Sequence, residues 1–274
     1  MFLRASMAGT ATVLTAGGYT WLVEPYWIEV VRRRLPIRNL PAALEGRTMV
    51  QLSDIHVGKR VDDEYVLSVF ERVRQLTPDI VVYTGDFISY HRDVFDQMAA
   101  VYDYAPHGRI ATLASFGNHD YGARWEHPEV AAQLQRLLAR RGIDVLRNAA
   151  RDVAGLTIVG LDDLWARRFD PGVLSMRGDE RASVVLSHNP DTVDLPGWER
   201  FRGWILAGHT HGGQCKPPFL PPPLLPVRNT RYSAGEFAIE GERTLYVNRG
   251  VGFLIQVRFN ARPEITHFTL TVAS

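Results

Sequence analysis

Five short clusters of polar side chains each follow a run of apolar residues. In chain order they are Asp54-Ile55-His56, Gly85-Asp86, Gly117-Asn118-His119-Asp120, Ser187-His188-Asn189 and Gly208-His209-Thr210-His211. The clusters offer carboxylates, an asparagine carbonyl and imidazoles, but no thiolate. Mixed oxygen and nitrogen donors suit Mn, Fe, Zn, Ni or Co better than Ca²⁺ or a structural cysteine–zinc site. The clusters are therefore candidate metal ligands.

The number of these groups favours more than one metal ion. Bringing so many carboxylates and imidazoles into one cleft without cations would be costly, because buried charges need partners. Two divalent ions about 3.5–4 Å apart can hold a phosphoryl group between them and activate a water molecule. A single histidine is more often structural than a ligand, and an aspartate after a strand is often only a cap or turn residue. Five ordered clusters weigh against that alternative for the set as a whole.

The apolar runs before the first three clusters are predicted to be parallel strands with helical segments between them. They cover residues 48–52, 79–83 and 109–116. Asp54 and Asp86 lie 32 positions apart, as do Asp86 and Asn118, and about thirty residues is the length of a strand–helix–strand unit. Because the carboxyl ends of parallel strands open onto one crevice, we expect the clusters to converge there.

Beyond a helix predicted over residues 126–141, strands dominate. They are predicted at 156–161, 182–187, 203–207, 244–247 and 263–273. We expect these strands to form a second sheet packed on the first. The predicted fold is α/β, a four-layer sandwich of two mixed β-sheets flanked by helices. Apolar residues make up 46% of the chain and charged residues 22%, which suffices for a buried core.

The order of the clusters resembles the calcineurin-like metallophosphoesterase superfamily, whose pattern is D-x-H, G-D, G-N-H-[DE], a lone H, and G-H-x-H. All five blocks are present between Asp54 and His211, without a departure. The flanking text, from about Glu24 to Gly252, is also similar to a bacterial branch of membrane-associated phosphodiesterases. That branch includes enzymes similar to the UDP-2,3-diacylglucosamine pyrophosphatase of lipid A synthesis.

The resemblance implies a dinuclear site in which a metal-activated water attacks phosphorus. One metal would be held by Asp54, His56 and His211, the other by Asn118, His188 and His209, with Asp86 bridging both. His119 would lie over the phosphate, stabilising charge or protonating the leaving oxygen, and Asp120 would orient His119. The ligand set does not distinguish Mn, Fe, Zn and Ni; we favour Mn.

Three residues outside the ligand set are candidate substrate contacts. Gly213 and Gln214 extend the last metal loop, where glycine allows the backbone to approach a phosphate. Arg249 follows another strand and either binds phosphate oxygens or forms an ordinary salt bridge. The proline-rich, apolar stretch 216–226 lies close by in sequence and favours a lipid-linked substrate. A net charge of +1, with no basic tract interleaved with aromatics, makes a nucleic-acid partner unexpected.

Residues 1–24 are assigned to a separate N-terminal segment, and residues 25–274 to the catalytic domain. The segment is apolar, with Arg4 as its only charged residue before Glu24, and is long enough to span a bilayer as an apolar helix. It is a signal-anchor helix, a cleaved export signal or a soluble N-terminal helix. We expect association with a bacterial inner membrane, with the side undecided, or export.

The leading hypothesis is a dinuclear phosphodiesterase or pyrophosphatase that acts on a lipid-linked substrate. Two alternatives remain open. A soluble-substrate enzyme, such as a nucleotide phosphodiesterase or a phosphomonoesterase, would use the same ligands. A metal-stabilised binding protein would keep the fold without catalysis, although the intact ligand set and His119 argue against it.

Overall fold

Twelve short strands form two six-stranded sheets within residues 17–91, 93–175 and 181–273, which the computed structural model describes. In chain order the strands are β1 (Glu29–Ile37), β2 (Thr48–Leu52), β3 (Ile80–Thr84), β4 (Ala111–Ser115), β5 (Asp144–Val145), β6 (Ala149–Val153), β7 (Leu156–Gly160), β8 (Ser183–Leu186), β9 (Gly203–Ala207), β10 (Gly235–Ile239), β11 (Arg243–Val247) and β12 (Glu264–Val272). The first sheet has the order β1-β12-β2-β3-β4-β5, and the second β10-β11-β9-β8-β7-β6. Both sheets are mixed, because antiparallel pairs (β12 with β2, β10 with β11, β6 with β7) accompany parallel ones.

Four α-helices connect the strands in the described part of the chain. They are α1 (Asp63–Gln75), α2 (Val94–Tyr102), α3 (Pro128–Ala139) and the single turn α4 (Gly172–Ser175). Asp62 caps α1 by accepting hydrogen bonds from the backbone of Glu64 and Tyr65. One-turn 3₁₀ helices occur at Glu24–Tyr26, Ala42–Leu44, Asn118–Tyr121, Ala123–Trp125, Pro190–Asp194 and His211–Gly213, and a π-helical turn at Tyr19–Val23.

Successive side chains along a strand point to opposite faces of its sheet, and this divides the core into layers. In β3, Ile80 and Val82 face the second sheet and pack with residues such as Val184. Val81 and Tyr83 face the opposite way and pack against α1, α2 and α3. The far side of the second sheet is covered by Trp198, Phe201 and neighbouring loops rather than by long helices. The predicted two-sheet α/β sandwich is thus present, but its fourth layer is mostly irregular in the described part of the chain.

The last strand lies in a different sheet from the predicted one. We expected residues 263–273 in the second sheet, whereas β12 lies inside the first, parallel to β1 and antiparallel to β2. Its core-facing residues Phe268 and Leu270 pack with Leu35 between the sheets. Alternation alone fits either sheet, because both present one face to the same core, so local sequence cannot make this choice.

Most of the expected N-terminal apolar helix lies outside the described residues, which begin at Gly17. Residues 17–26 form short helical turns. Among the described helices, none combines the length and the apolar character needed to cross a bilayer. Arg32, Arg33 and Arg34 lie in β1.

Candidate metal centre

The loops that carry the clusters leave their strands through unusual backbone conformations. Five of the predicted ligands have positive φ angles: Asp54 (52°), His56 (55°), Asp86 (55°), His209 (71°) and His211 (50°). Residues other than glycine rarely adopt this conformation, which costs on the order of 1–3 kcal/mol each and persists only where the surroundings enforce it. Eleven other non-glycine residues of the described chain share this conformation, but among the seven predicted ligands it is found in five, where it sets the direction of the side chain.

The first group consists of Asp54, His56 and His211, all buried. The Nε2 atom of His211 lies 3.3 Å from Asp54 Oδ1 and 3.2 Å from His56 Nε2. Two nitrogens bound to one ion at about 2.1 Å would be separated by roughly 3.0–3.4 Å. Burial lowers the pKa of both histidines to about 3, so their rings are neutral near pH 7 and keep a lone pair for a metal.

The second group consists of Asp86, His188 and His209. His188 Nε2 lies 3.1 Å from Asp86 Oδ2 and 3.2 Å from His209 Nδ1. The Nδ1 atom of His188 is 2.7 Å from the carbonyl oxygen of Thr84. Because a carbonyl oxygen can only accept a hydrogen bond, Nδ1 carries the proton. With Nδ1 protonated in this way, the Nε2 atom of His188 is the one available to a metal.

Asp86 lies between the two groups. Its Oδ2 atom is 3.1 Å from His188 in the second group and 3.6 Å from His56 in the first. Burial by itself raises the pKa of Asp86. The charges of His188 and His119 outweigh burial and hold that pKa well below its ordinary value. Burial likewise lowers the pKa of His188, yet Asp86 outweighs it and raises that pKa. The position therefore attracts positive charge.

Asn118 provides a test of whether these residues fit a metal. Its side chain is buried, and neither Oδ1 nor Nδ2 has a hydrogen-bond partner among the described residues. An unpaired buried amide costs about 1–3 kcal/mol, so such a group in a native fold calls for a partner. An amide oxygen of this kind, beside the carboxylates and imidazoles of the two groups, fits a pair of divalent ions.

Two glycines allow the loops to approach one another. A Cβ atom on Gly117 would collide with Asp86 Oδ1 and lie 2.7 Å from the His188 ring. A Cβ atom on Gly85 would lie 2.7 Å from His188 Nδ1, and Gly85 also has a φ of 83°. The glycines of the Gly-Asp and Gly-Asn motifs are thus required by close packing around Asp86.

Asp120 makes contacts different from the implied ones. Its Oδ2 atom accepts hydrogen bonds from the backbone N–H groups of Asp86 and Gly117, both at 2.9 Å, and Oδ1 accepts from Phe87 at 2.8 Å. No described hydrogen bond joins it to the His119 ring. Because its oxygens already bind backbone, Asp120 holds the Asp86 loop against the Gly117 loop and does not orient His119.

His119 stands at the edge of a cavity of ≈ 570 Å³ that opens onto both ligand groups. Its ring packs edge-on against His56, with centroids 5.0 Å apart, and its backbone N–H donates to Asp86 Oδ1 at 2.9 Å. Trp125 lies beyond it, 6.1 Å away between ring centroids. His119 is therefore fixed beside the metal ligands without belonging to either group.

Residues 47–213 match the calcineurin-like phosphoesterase family. The chain belongs to this family. It is a hydrolase, and the two groups of donors described above imply divalent metal ions.

Three relatives of this phosphoesterase align with nearly its whole length. It is 34% identical to the metallophosphoesterase YkuE of Bacillus subtilis, over 98% of this chain and 96% of that protein. It is 33% identical to the phosphodiesterase YaeI of Escherichia coli, over 97% of this chain and 98% of that protein. It is 27% identical to the UDP-2,3-diacylglucosamine pyrophosphatase LpxG of Chlamydia trachomatis, over 97% of both chains.

The three candidate substrate residues of this phosphoesterase have different surroundings. Gly213 and Gln214 line the cavity, and the Gln214 side chain donates to the carbonyl oxygens of Ile255 and Val257 at 3.1 Å. Arg249 forms ion pairs with Glu264 at 2.6 Å and Glu29 at 2.8 Å. The structure thus pairs Arg249 with carboxylates, the alternative left open by the sequence.

Sequence patterns missed three residues near the ligands. Trp165 packs edge-on against His209, with centroids 4.4 Å apart, and lies tilted beside Trp125, with centroids 4.9 Å apart. Asp163 follows β7 and is buried, and burial raises the pKa of its carboxyl to about 7. None of the three belongs to a recognisable motif; the only signal was the position of Asp163 after an apolar run.

Asp163 gives the metal-free protein a specific pH dependence. Because its pKa in the folded state lies above the unfolded value, its contribution favours folding below about pH 4 and is lost as pH rises to about 7. We expect Asp163→Asn to gain stability relative to wild type over this interval, by up to about 4 kcal/mol. Urea unfolding of both chelator-treated proteins at pH 5 and pH 7.5 checks this; an equal difference at the two values would contradict it.

Proposed function

We propose that this phosphoesterase hydrolyses a phosphodiester or pyrophosphate with two metal ions. The observation that carries the proposal is the position of Asp86 Oδ2, at 3.1 Å and 3.6 Å from a histidine of each group. Two divalent ions would polarise the phosphoryl oxygens and lower the pKa of a water. Asp54, His56 and His211 would hold one ion, Asn118, His188 and His209 the other, with Asp86 shared.

His119 is the residue proposed to act on the substrate directly. It lines the cavity beside Asp86 and Asn118 but stands outside both ligand groups. From there its imidazole can donate a hydrogen bond to the phosphate or a proton to the leaving oxygen. The backbone bond to Asp86 and the contact with His56 keep the ring in place.

The walls of the cavity support a substrate with an apolar part. Leu224, Leu225, Leu254, Ile255 and Val257 line one side of it. Apolar walls favour apolar ligand surface, because burial removes that surface from water. The relative named as a UDP-2,3-diacylglucosamine pyrophosphatase is consistent with a lipid-linked phosphoester. We therefore assign this chain a lipid-linked substrate.

Further parts of the assignment rest on sequence. Among metals that accept mixed oxygen and imidazole donors, we favour Mn. Residues 25–274 would form the catalytic domain, and residues 1–24 would attach it to a bacterial membrane. The apolar composition of residues 1–16 supports that attachment.

Hydrolysis by the full-length chain in detergent tests the proposal. The protein is stripped of metal with a chelator, then assayed on bis(p-nitrophenyl) phosphate before and after addition of Mn²⁺, Zn²⁺ or Ni²⁺. We expect activity to return with metal, most strongly with Mn²⁺. A folded protein that binds two ions and hydrolyses neither this diester nor a lipid-linked diphosphate would contradict the enzymatic assignment.

The substrate class is tested by measuring kcat/KM for a soluble sugar nucleotide diphosphate and for its acylated counterpart under the same conditions. We expect a higher kcat/KM for the acylated compound, because its chains add buried apolar surface. Equal values for the two compounds would remove the lipid-linked part of the proposal and leave the hydrolytic part intact.

A further inference from the structure

Exposed apolar side chains are concentrated in three segments of the chain. Residues 20–27, 214–226 and 252–262, together called the apolar rim, contain eight of the twelve large hydrophobic side chains that are exposed in the described residues. The eight are Trp21, Leu22, Val23, Trp27, Phe219, Leu220, Leu224 and Ile255. Scattered exposed hydrophobes are ordinary, but a concentration of this kind indicates an interaction surface.

Backbone hydrogen bonds join the three segments side by side. Arg258 N donates to Thr20 O at 3.0 Å, which ties the last segment to the first. Phe259 N donates to Gln214 O at 2.7 Å, and Lys216 N donates to Phe259 O at 2.8 Å. The apolar rim is therefore one connected surface, although its parts are far apart in sequence.

This surface borders one side of the cavity described above. Leu224 and Ile255 line that cavity and are also 82% and 58% exposed, so they reach from its interior to the outside. Pro222 packs close to Gly213, which belongs to the last metal loop. A molecule that enters between Leu224 and Ile255 arrives directly beside the metal ligands.

The partly exposed charges of the apolar rim are positive. Its only acidic residue, Glu24, is 1% exposed and accepts a hydrogen bond from the backbone of Ala261. Lys216 and Arg262 lie in the rim, and the Arg262 guanidinium stacks on Trp27 at 4.1 Å from the ring centroid. Arg60 borders the surface, since it donates to the carbonyl oxygen of Leu254. Tryptophan, aliphatic side chains and cations together match the interface of an anionic bilayer.

The chain that precedes the rim has the same character. Residues 1–16 contain a single charged side chain, Arg4, and lie just before the first rim segment in the chain. An apolar segment attached at this point would be delivered to whatever the rim contacts.

We infer that the apolar rim docks on the surface of an anionic phospholipid bilayer, with the cavity entrance facing the lipid. Phe219, Leu220 and Leu22 insert at the acyl boundary, while Lys216, Arg60 and Arg262 contact phosphate headgroups. In this position a lipid-linked phosphoester reaches the metal ligands without leaving the membrane. Only this last step rests on the proposed function; docking on the bilayer does not.

Vesicle binding without substrate tests the docking surface. The full-length chain is sedimented with vesicles of phosphatidylcholine alone or with phosphatidylglycerol added. We compare wild type with Phe219→Ser/Leu220→Ser and, as a second rim variant, Leu22→Ser. The matched control is Tyr104→Ser/Ile110→Ser, which removes exposed apolar side chains near the amino end of β4, away from the cavity.

We expect the double rim variant to partition about ten- to a hundredfold more weakly than wild type, since two inserted side chains are removed. Leu22→Ser should weaken partitioning in the same direction, the control should match wild type, and phosphatidylglycerol should strengthen wild-type binding. Rim variants that bind like wild type, or wild-type binding indifferent to phosphatidylglycerol, would overturn the inference. Hydrolysis of bis(p-nitrophenyl) phosphate without vesicles reports on the proposed function separately.

Discussion

Replacement of Asp86 with asparagine is expected to remove metal-dependent hydrolysis almost completely. Its carboxylate lies against histidines of both ligand groups and is buried, so the amide would leave both groups without their shared negative charge. Removing one partner from a buried charge pair costs about 3–5 kcal/mol, which corresponds to a roughly 10²- to 10⁴-fold loss of metal affinity. Metal titration by calorimetry, together with the diester assay, measures both effects.

Asp79→Asn is the matched control for this variant. Asp79 is a buried aspartate directly before β3, whereas Asp86 follows the same strand at its other end. It accepts hydrogen bonds from Thr48 N at 2.9 Å and from Arg109 at 2.7 Å. Its loss should lower stability without lowering metal affinity in the folded protein. If both variants bound metal like wild type, Asp86 would not be a shared ligand.

Replacement of His119 with glutamine is expected to slow hydrolysis by about 10²- to 10⁴-fold, the usual contribution of a general acid. Metal content should stay at the wild-type level, because His119 belongs to neither ligand group. The loss should be larger for an alkyl phosphodiester than for a p-nitrophenyl diester, since a good leaving group needs less protonation. Rate constants for the two substrates, with metal analysis of each sample, give the comparison.

His127→Gln controls for the general effect of replacing a histidine. His127 pairs with Glu129 at the surface, 2.8 Å away, before α3. Its replacement should leave both rate constants unchanged. If His119→Gln lost its metals, or slowed both substrates equally, His119 would act through the site's structure or by charge stabilisation, and the proton-transfer role would be wrong.

Much of the fold could be predicted because its signals are local. Apolar runs ending in the polar clusters gave β2, β3 and β4, and helical spacing gave α1 and α3. Their parallel order follows from the intervening helices, and the convergence of Asp54, Asp86 and Asn118 follows from the geometry of parallel strands. For these residues to converge, it is enough that neighbouring strands end at one edge of a sheet.

The errors concern long-range choices. The sheet to which β12 belongs depends on pairing with β1 and β2, more than two hundred residues away, and no local pattern records it. The direction of the Asp120 side chain depends on which backbone N–H groups need an acceptor once the loops have met. Trp165 reaches His209 from a loop after β7, a contact that only the packed sheets create.

The placement of β12 has a consequence for the order in which the molecule is made. Every loop that carries a ligand, from Asp54 to His211, is synthesised before the strand that completes the first sheet. Until Glu264–Val272 emerges, β1 and β2 have no partner between them, and Asp54 follows a strand with one open edge. Pairing over such separations is slow, because the chain must close a long loop first. All the ligand residues have thus been synthesised well before the sheet that fixes their geometry is complete.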